Sequence, residues 1–318
     1  MLEGGAMTGT ILRRLMAMAP LLFVLSLLVF GLSRLIPGDP AVVIAGESAT
    51  PQLVEQIRRD LGLDLPAWHQ YAAWLRNVAQ GDLGHSLFDG QSVALSVAQR
   101  LPVTLLLVGA AMLVSCGVGL AGGILAGAFA GRRPDRIIST AAAVMISVPG
   151  FVLGLFLVLV FSIGLKWFPA TGFRPPAENF AGFVHALVLP MLALGSAGAG
   201  ELVLHTRSAV IAALEAQHTA ALRSRGLPES TIVLKHALRN AAIPLSTVIG
   251  LIFQHLLGAS VVVEILFAVP GIGSLAVAAV QNRDIPVVQG VVLALAVLVL
   301  LTNLFIDVLY SFLDPRTR

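Results

Sequence analysis

"LRSRGLPESTIVLKHALRNAAIP", residues 222–244, interrupts an apolar chain with Arg223, Arg225, Lys235 and Arg239 against one acid, Glu229. Long apolar segments flank it, so the stretch either fixes the orientation of the chain in lipid or does work of its own. From Thr206 to Ile243 the chain is too polar to span a membrane. It is nonetheless poor in helix breakers apart from Gly226, Leu227-Pro228 and the cap-like Ser230. This pattern predicts two short helices joined by a Gly-Leu-Pro turn, with Gly226 closing the first and Pro228 near the start of the second. The small residues Ala220, Ala221 and Gly226 would admit close approach by another protein, and Arg223 and Arg225 could meet acids or backbone carbonyls. The competing reading is a basic loop held by anionic lipid.

Composition sets the class around this stretch. Hydrophobic residues make up 57% of the 318 and charged residues 12%, with a mean hydropathy of +0.90. A soluble domain carries roughly 25% charged residues, so the expectation is an all-α integral membrane protein. The pI near 9.6 does not point to nucleic acid, because the 20 Lys and Arg residues mostly sit beside apolar spans, where membrane topology accounts for them. Cys116 is the single cysteine, which rules out an internal disulfide.

A hydrocarbon core of about 30 Å needs roughly 20 apolar residues in helical form. Six regions supply them, at about 11–36, 101–130, 137–167, 184–205, 244–267 and 287–313. The first resembles a signal peptide in having Arg13 and Arg14 before an apolar run. That run extends from Leu15 to Ile36 with no small-x-small cleavage site after it, so it is expected to be retained. Six crossings put both termini on one side, together with "GRRPDR" (131–136), the basic loop 206–243 and the tail 314–318. Twelve of the 20 Lys and Arg lie there, and the positive-inside rule makes that side cytoplasmic. Residues 37–100 then form an extracytoplasmic segment, with 1–36 the cytoplasmic N-terminus and first span and 101–313 the five-helix remainder. Trp68, Tyr71 and Trp74 recur at helical spacing in the outer segment. They read either as an aromatic belt at the membrane interface or as a gate or docking surface.

The run Ala220-Ala221-Leu222, Gly226 and Ile243-Pro244 resembles the cytoplasmic EAA loop of ABC importer permeases. Its wording is closest to the dipeptide, oligopeptide and nickel branch. Ala220 stands where the name-giving Glu would be, and Leu222 replaces an Ala. Further stretches agree in order along the chain: "LIPGDP" (35–40), "LGLDLPAWHQYAAWL" (61–75), "GDLGHSL" (81–87) and "VVVEILFAVPGIGSLAVAAVQNRDIPVVQG" (261–290). The resemblance implies a type I, MetI-like permease fold with an outward insertion between the first two spans, in the bacterial inner membrane. It implies a coupling helix over Ala220, Ala221, Leu222, Arg223, Arg225, Gly226 and Leu227 that docks on an ATPase. Around the outer gate it implies structural roles for Glu264, Phe267, Pro270, Gly271 and Gly273, with the Glu264 carboxylate binding backbone amides of the "FAVPGIG" turn. The implied partners are a second, similar permease, two ATPase subunits or domains, an extracytoplasmic substrate-binding protein and membrane lipids. The implied cargo is a di- or oligopeptide.

Other chemistries are weaker. The chain has no Gly-x-x-x-x-Gly-Lys-Ser/Thr phosphate loop, so ATP and Mg are expected in partner ATPases and no cofactor in this chain. No nucleophile elbow or His-Glu-x-x-His pair accompanies His69, His85, Ser86 and Asp89, so neither an enzyme nor a metal centre is expected. Glu201, Glu264 and Asp307 would be costly facing lipid. Glu201 and His205 share a helix face and suggest a hydrogen-bonded pair, and Asp307 suggests a partner base. The alternative function is an ion-gradient-driven secondary transporter using one of these acids as its proton carrier.

Overall fold

The computed structural model describes residue 16 and residues 18–31, 34, 40–46 and 49–313. The described elements are helices, with one isolated bridge between His85 and Ser92. In chain order they are α1 (Met18–Gly31), α2 (Pro40–Ala45), α3 (Pro51–Asp60), α4 (Ala67–Ala79), α5 (Val93–Ala128), α6 (Arg133–Ser147) and α7 (Gly150–Leu157). The last runs on as a π-helix over Val158–Gly164. There follow α8 (Phe180–Glu215), α9 (Gln217–Ser224), α10 (Glu229–Thr231) with a π-helical continuation over Ile232–Ala237, α11 (Leu238–Leu266), α12 (Ile272–Gln281) and α13 (Ile285–Leu313).

Among the described residues, four helices are long and apolar enough to cross a bilayer: Val93–Ala128, Phe180–Glu215, Pro244–Leu266 and Ile285–Ile306. The six expected spans are not reproduced helix for helix. The region 137–167 is two helices bent by 98°, and α1 is described over a length shorter than a full crossing. The bend has a local cause. Pro149 forces the preceding Val148 out of helical conformation, to φ −90 and ψ 117, as a residue before proline prefers. Pro102, Pro190 and Pro244 instead lie inside continuous helices, where neighbouring helices can tolerate the lost backbone bond. α8 continues as helix past Thr206 to Glu215, so the polar stretch begins within a helix.

Contacts divide the chain into two units, one built on Val103–Pro270 and the chain from Thr302, the other on Thr8–Pro102 with Gly271–Leu301. In the first, α8 packs against α6, α7 and α11. It meets α5 through a ladder of glycines at four-residue spacing. A Cβ on Gly119 would lie 2.6 Å from the Leu202 Cβ, one on Gly127 would lie 2.7 Å from the Val210 Cβ, and one on Gly123 would strike Thr206 and the Val203 carbonyl. Only hydrogen fits, so these backbones approach as closely as small-residue membrane interfaces do. Higher up, Ser115 donates its hydroxyl to the Gly195 carbonyl at 2.8 Å. There a Cβ on Gly195 would come within 2.6 Å of the Ala111 oxygen.

The second unit has its own core of Val93, Val97, Ile272, Ala279, Val287 and Val291. In it α4 leans on α1. Tyr71 and Trp74 pack on Phe30 at centroid distances of 5.4 and 5.8 Å, and the Tyr71 and Ser26 hydroxyls share a 2.8 Å hydrogen bond. Of the three aromatics expected to act together, these two therefore face α1, and Trp68 alone stays 66% exposed.

Candidate functional site

The basic stretch folds as a hairpin beyond the end of α8. Ala216 is extended and starts α9, and the buried Thr219 donates its hydroxyl to the Ala213 carbonyl at 2.7 Å, stitching α9 to the last turn of α8. The helix stops at Arg225 and Gly226. Gly226 has φ +76, a left-handed conformation that glycine takes without Cβ strain. Pro228 then precedes α10, so both expected helices and the turn between them are present, although the second becomes π-helical after one turn.

Arg223 closes the hairpin from inside. Its Nε donates to Glu229 Oε1 at 2.5 Å and its Nη1 to the Leu214 carbonyl at 3.3 Å. The guanidinium holds the Glu229 carboxyl below its usual range, the direct hydrogen bond being the main cause. Both side chains are substantially exposed, so the pair sets geometry more than stability. Arg223 thus meets an acid and a backbone carbonyl of its own chain. Ala220, Ala221, Arg225 and Gly226 are exposed, while Leu222 and Leu227 are half-buried. The presented surface of α9 is therefore small side chains beside Arg225, with the Arg223–Glu229 pair also exposed. Arg239 lies in α11, and its side chain is outside the described residues.

Two residues that sequence reasoning missed brace α6 against α8. Asp135, buried at the start of α6, accepts from Arg207 Nε at 2.5 Å, Arg207 Nη2 at 2.8 Å and the Gly131 amide at 2.7 Å. The available signal was that Asp135 is the only acid in "GRRPDR" and Arg207 the only Lys or Arg in α8.

The expected outer gate divides between the two units. Glu264 and Phe267, both buried, end α11 in the first. Thr104 in α5 donates its hydroxyl to Glu264 Oε1 at 2.6 Å, and the Glu264 carbonyl accepts the Val269 amide at 2.8 Å. The Glu264 backbone thus ties to the turn, and the bonds of its carboxylate include a hydroxyl from a neighbouring helix. The Phe267 carbonyl accepts the Gly172 amide at 3.1 Å, and Pro270 is half-buried. Gly271 and Gly273 are buried and start α12 in the second unit. There Asp284, between α12 and α13, accepts the Ser86 hydroxyl and the Leu87 amide, the latter at 3.1 Å, and holds the loop 84–92. Glu201 is half-buried and His205 exposed, with no hydrogen bond between them among the described residues, so that expected pair does not form. The Asp307 side chain lies outside the described residues.

The chain is thus apolar, braced by buried polar ties, and carries a basic hairpin on the end of a long helix. Residues 119–318 match the family described as "Binding-protein-dependent transport system inner membrane component", and residues 7–108 match the companion N-terminal family. The chain belongs to this family and is an integral membrane permease component of an ABC importer, which displaces the ion-gradient alternative. It is 40% identical over 312 residues, covering 98% of this chain and 99% of that protein, to the glutathione transport system permease protein GsiC of Escherichia coli (strain K12). It is 39% identical, with the same coverage, to a Brucella abortus (strain 2308) permease protein named for a peptide transport system. Its fold is similar to that in a structure of the MetNI methionine ABC transporter in inward-facing form. That match has a TM-score of 0.55 and 17% identity, covering 69% of this chain and 96% of that one.

Proposed function

We propose that this chain forms half of a translocation path for di- or oligopeptides in the bacterial cytoplasmic membrane, with both termini cytoplasmic. The other half is a second, similar permease. Two ATPase subunits or domains bind ATP and Mg and rest against α9, and an extracytoplasmic binding protein delivers the cargo. Peptide is favoured because full-length relatives are named for peptide and glutathione transport, and glutathione is itself a tripeptide.

The observation that carries the coupling role is the way α9 is fastened. Thr219 and Arg223 tie it to carbonyls of α8, while Ala220, Ala221 and Arg225 remain exposed. A push on α9 therefore passes into the 36-residue α8, which packs against α6, α7 and α11. Closure of two ATPases can bias a bistable arrangement of helices through such a rigid lever.

The test uses Ala220→Trp and Arg225→Glu, neither of which touches the internal ties of α9. In complexes purified with the second permease and the ATPases, each should weaken ATPase association at least about 10-fold, as loss of an interface anchor does. Peptide uptake should fall with it while the chain still inserts. Full association with full uptake would remove α9 from the interface.

A further inference from the structure

A cavity of about 560 Å³ opens between the end of the π-helix Val158–Gly164 and the start of α8. Its walls carry Lys166, Arg174 and His185 together with Trp167, Phe168 and Phe173, and no Asp or Glu lines it among the described residues. The enclosing loop is built. Lys166 holds a left-handed φ of +57, a conformation uncommon outside glycine. The Trp167 amide donates to the Phe161 carbonyl at 2.8 Å and the Gly172 amide to the Phe267 carbonyl at 3.1 Å. His185 Nε2 lies 2.8 Å from the Trp167 carbonyl. A carbonyl can only accept, so Nε2 carries the proton and fixes the ring. Its face lies against Phe168 at 5.1 Å between centroids.

The helices leading into and out of this cationic cup are greasy and uncovered. Leu159 and Ile163, one turn apart on the π-helix, are 61% and 63% exposed, and Phe180 at the start of α8 is 68% exposed. Leu165 and Val184 are exposed as well. A lysine and tryptophan directly after an apolar helix belong at a membrane–water boundary. A soluble anion needs only the cup; the apolar flanks match an amphiphile. The volume is larger than a bare phosphate requires and lies in the usual range for small-ligand sites, roughly 300–1,000 Å³.

We propose that this cavity binds the phosphate-bearing headgroup of an anionic phospholipid, with Lys166 and Arg174 facing the phosphate and the acyl chains lying over Leu159, Ile163 and Phe180. A specific lipid so placed bridges the end of the bent third hydrophobic region to α8. This reading is independent of what the permease carries.

The test is native mass spectrometry of the full chain in detergent, titrated with dioleoylphosphatidylglycerol or dioleoylphosphatidylcholine. The anionic lipid should be retained more strongly. Neutralising both cations in Lys166→Gln/Arg174→Gln should weaken its retention about 30-fold, at roughly fivefold per charge. Lys166→Arg/Arg174→Lys should retain it, as should Arg76→Gln, which removes an exposed charge elsewhere. Equal retention of the two lipids, an unchanged affinity in the neutral variant, or loss in the conservative variant would overturn the proposal. So would displacement of the lipid by equimolar glycerol 1-phosphate or inorganic phosphate, which would show a plain anion cup with no use for the apolar flanks.

Discussion

Asp284→Ala tests how the outward loop is held. The Asp284 side chain is buried and accepts the Ser86 hydroxyl and the Leu87 amide, two hydrogen bonds to a carboxylate at about 1.5–3 kcal/mol each. In the alanine variant Ser86 still accepts the Phe88 and Asp89 amides, at 3.2 and 3.1 Å, but its own proton and the Leu87 amide lose their acceptor. Taking the lower value for each gives about 3 kcal/mol, or roughly a 150-fold larger open population of the loop. Hydrogen–deuterium exchange on the intact protein in nanodiscs should therefore show residues 84–92 exchanging about two orders of magnitude faster, with α8 unchanged. Asp284→Asn keeps one oxygen acceptor and should fall between the two. Exchange in Asp284→Ala within about threefold of wild type would refute the reasoning, because the loop would then be held by something other than this carboxylate.

Gly123→Leu should lower the melting temperature of the purified chain and cost at least the 1–3 kcal/mol typical of overpacking, since even a Cβ there collides with Thr206 and the Val203 carbonyl. Thr206→Val should leave melting unchanged or raise it, because the Thr206 hydroxyl is buried with no hydrogen-bond partner among the described residues and valine removes that burden. The Glu229 carboxyl is held below its ordinary value of 4.5, so its tie to Arg223 is fully present above that pH and is lost as pH falls through the depressed value. Exchange protection of residues 227–232 should drop in that acid range in wild type and show no such step in Glu229→Gln.

The basic hairpin was legible because its determinants are local. Gly226 and Pro228 each dictate backbone conformation within a residue or two, and no distant contact is needed to place the turn. The broken third span was not legible for the opposite reason. Of the prolines in or beside apolar runs, Pro102, Pro190 and Pro244 are absorbed in continuous helices while Pro149 ends one. The outcome depends on what neighbouring helices supply, and hydropathy carries no record of that. Two helices outrun their apolar spans, α5 beginning at Val93 and α8 running to Glu215, since apolarity marks where lipid stops and not where backbone hydrogen bonding does. The same limit applies to Glu264. That a buried acid needs a partner could be read from the sequence, but one partner, Thr104, lies 160 residues away, and only the packing of α5 beside α11 brings them together.

The glycine ladder of α5 carries a consequence for descent. Leu202, Thr206 and Val210 each occupy the space that a side chain on Gly119, Gly123 or Gly127 would need, so the two helices cannot drift independently. A lineage that acquires an alanine at one of these glycines must first have a smaller residue at its opposite number on α8, or pass through an intermediate that packs badly. Among relatives the three pairs are therefore expected to change together or not at all, and the order of change should run from α8 to α5.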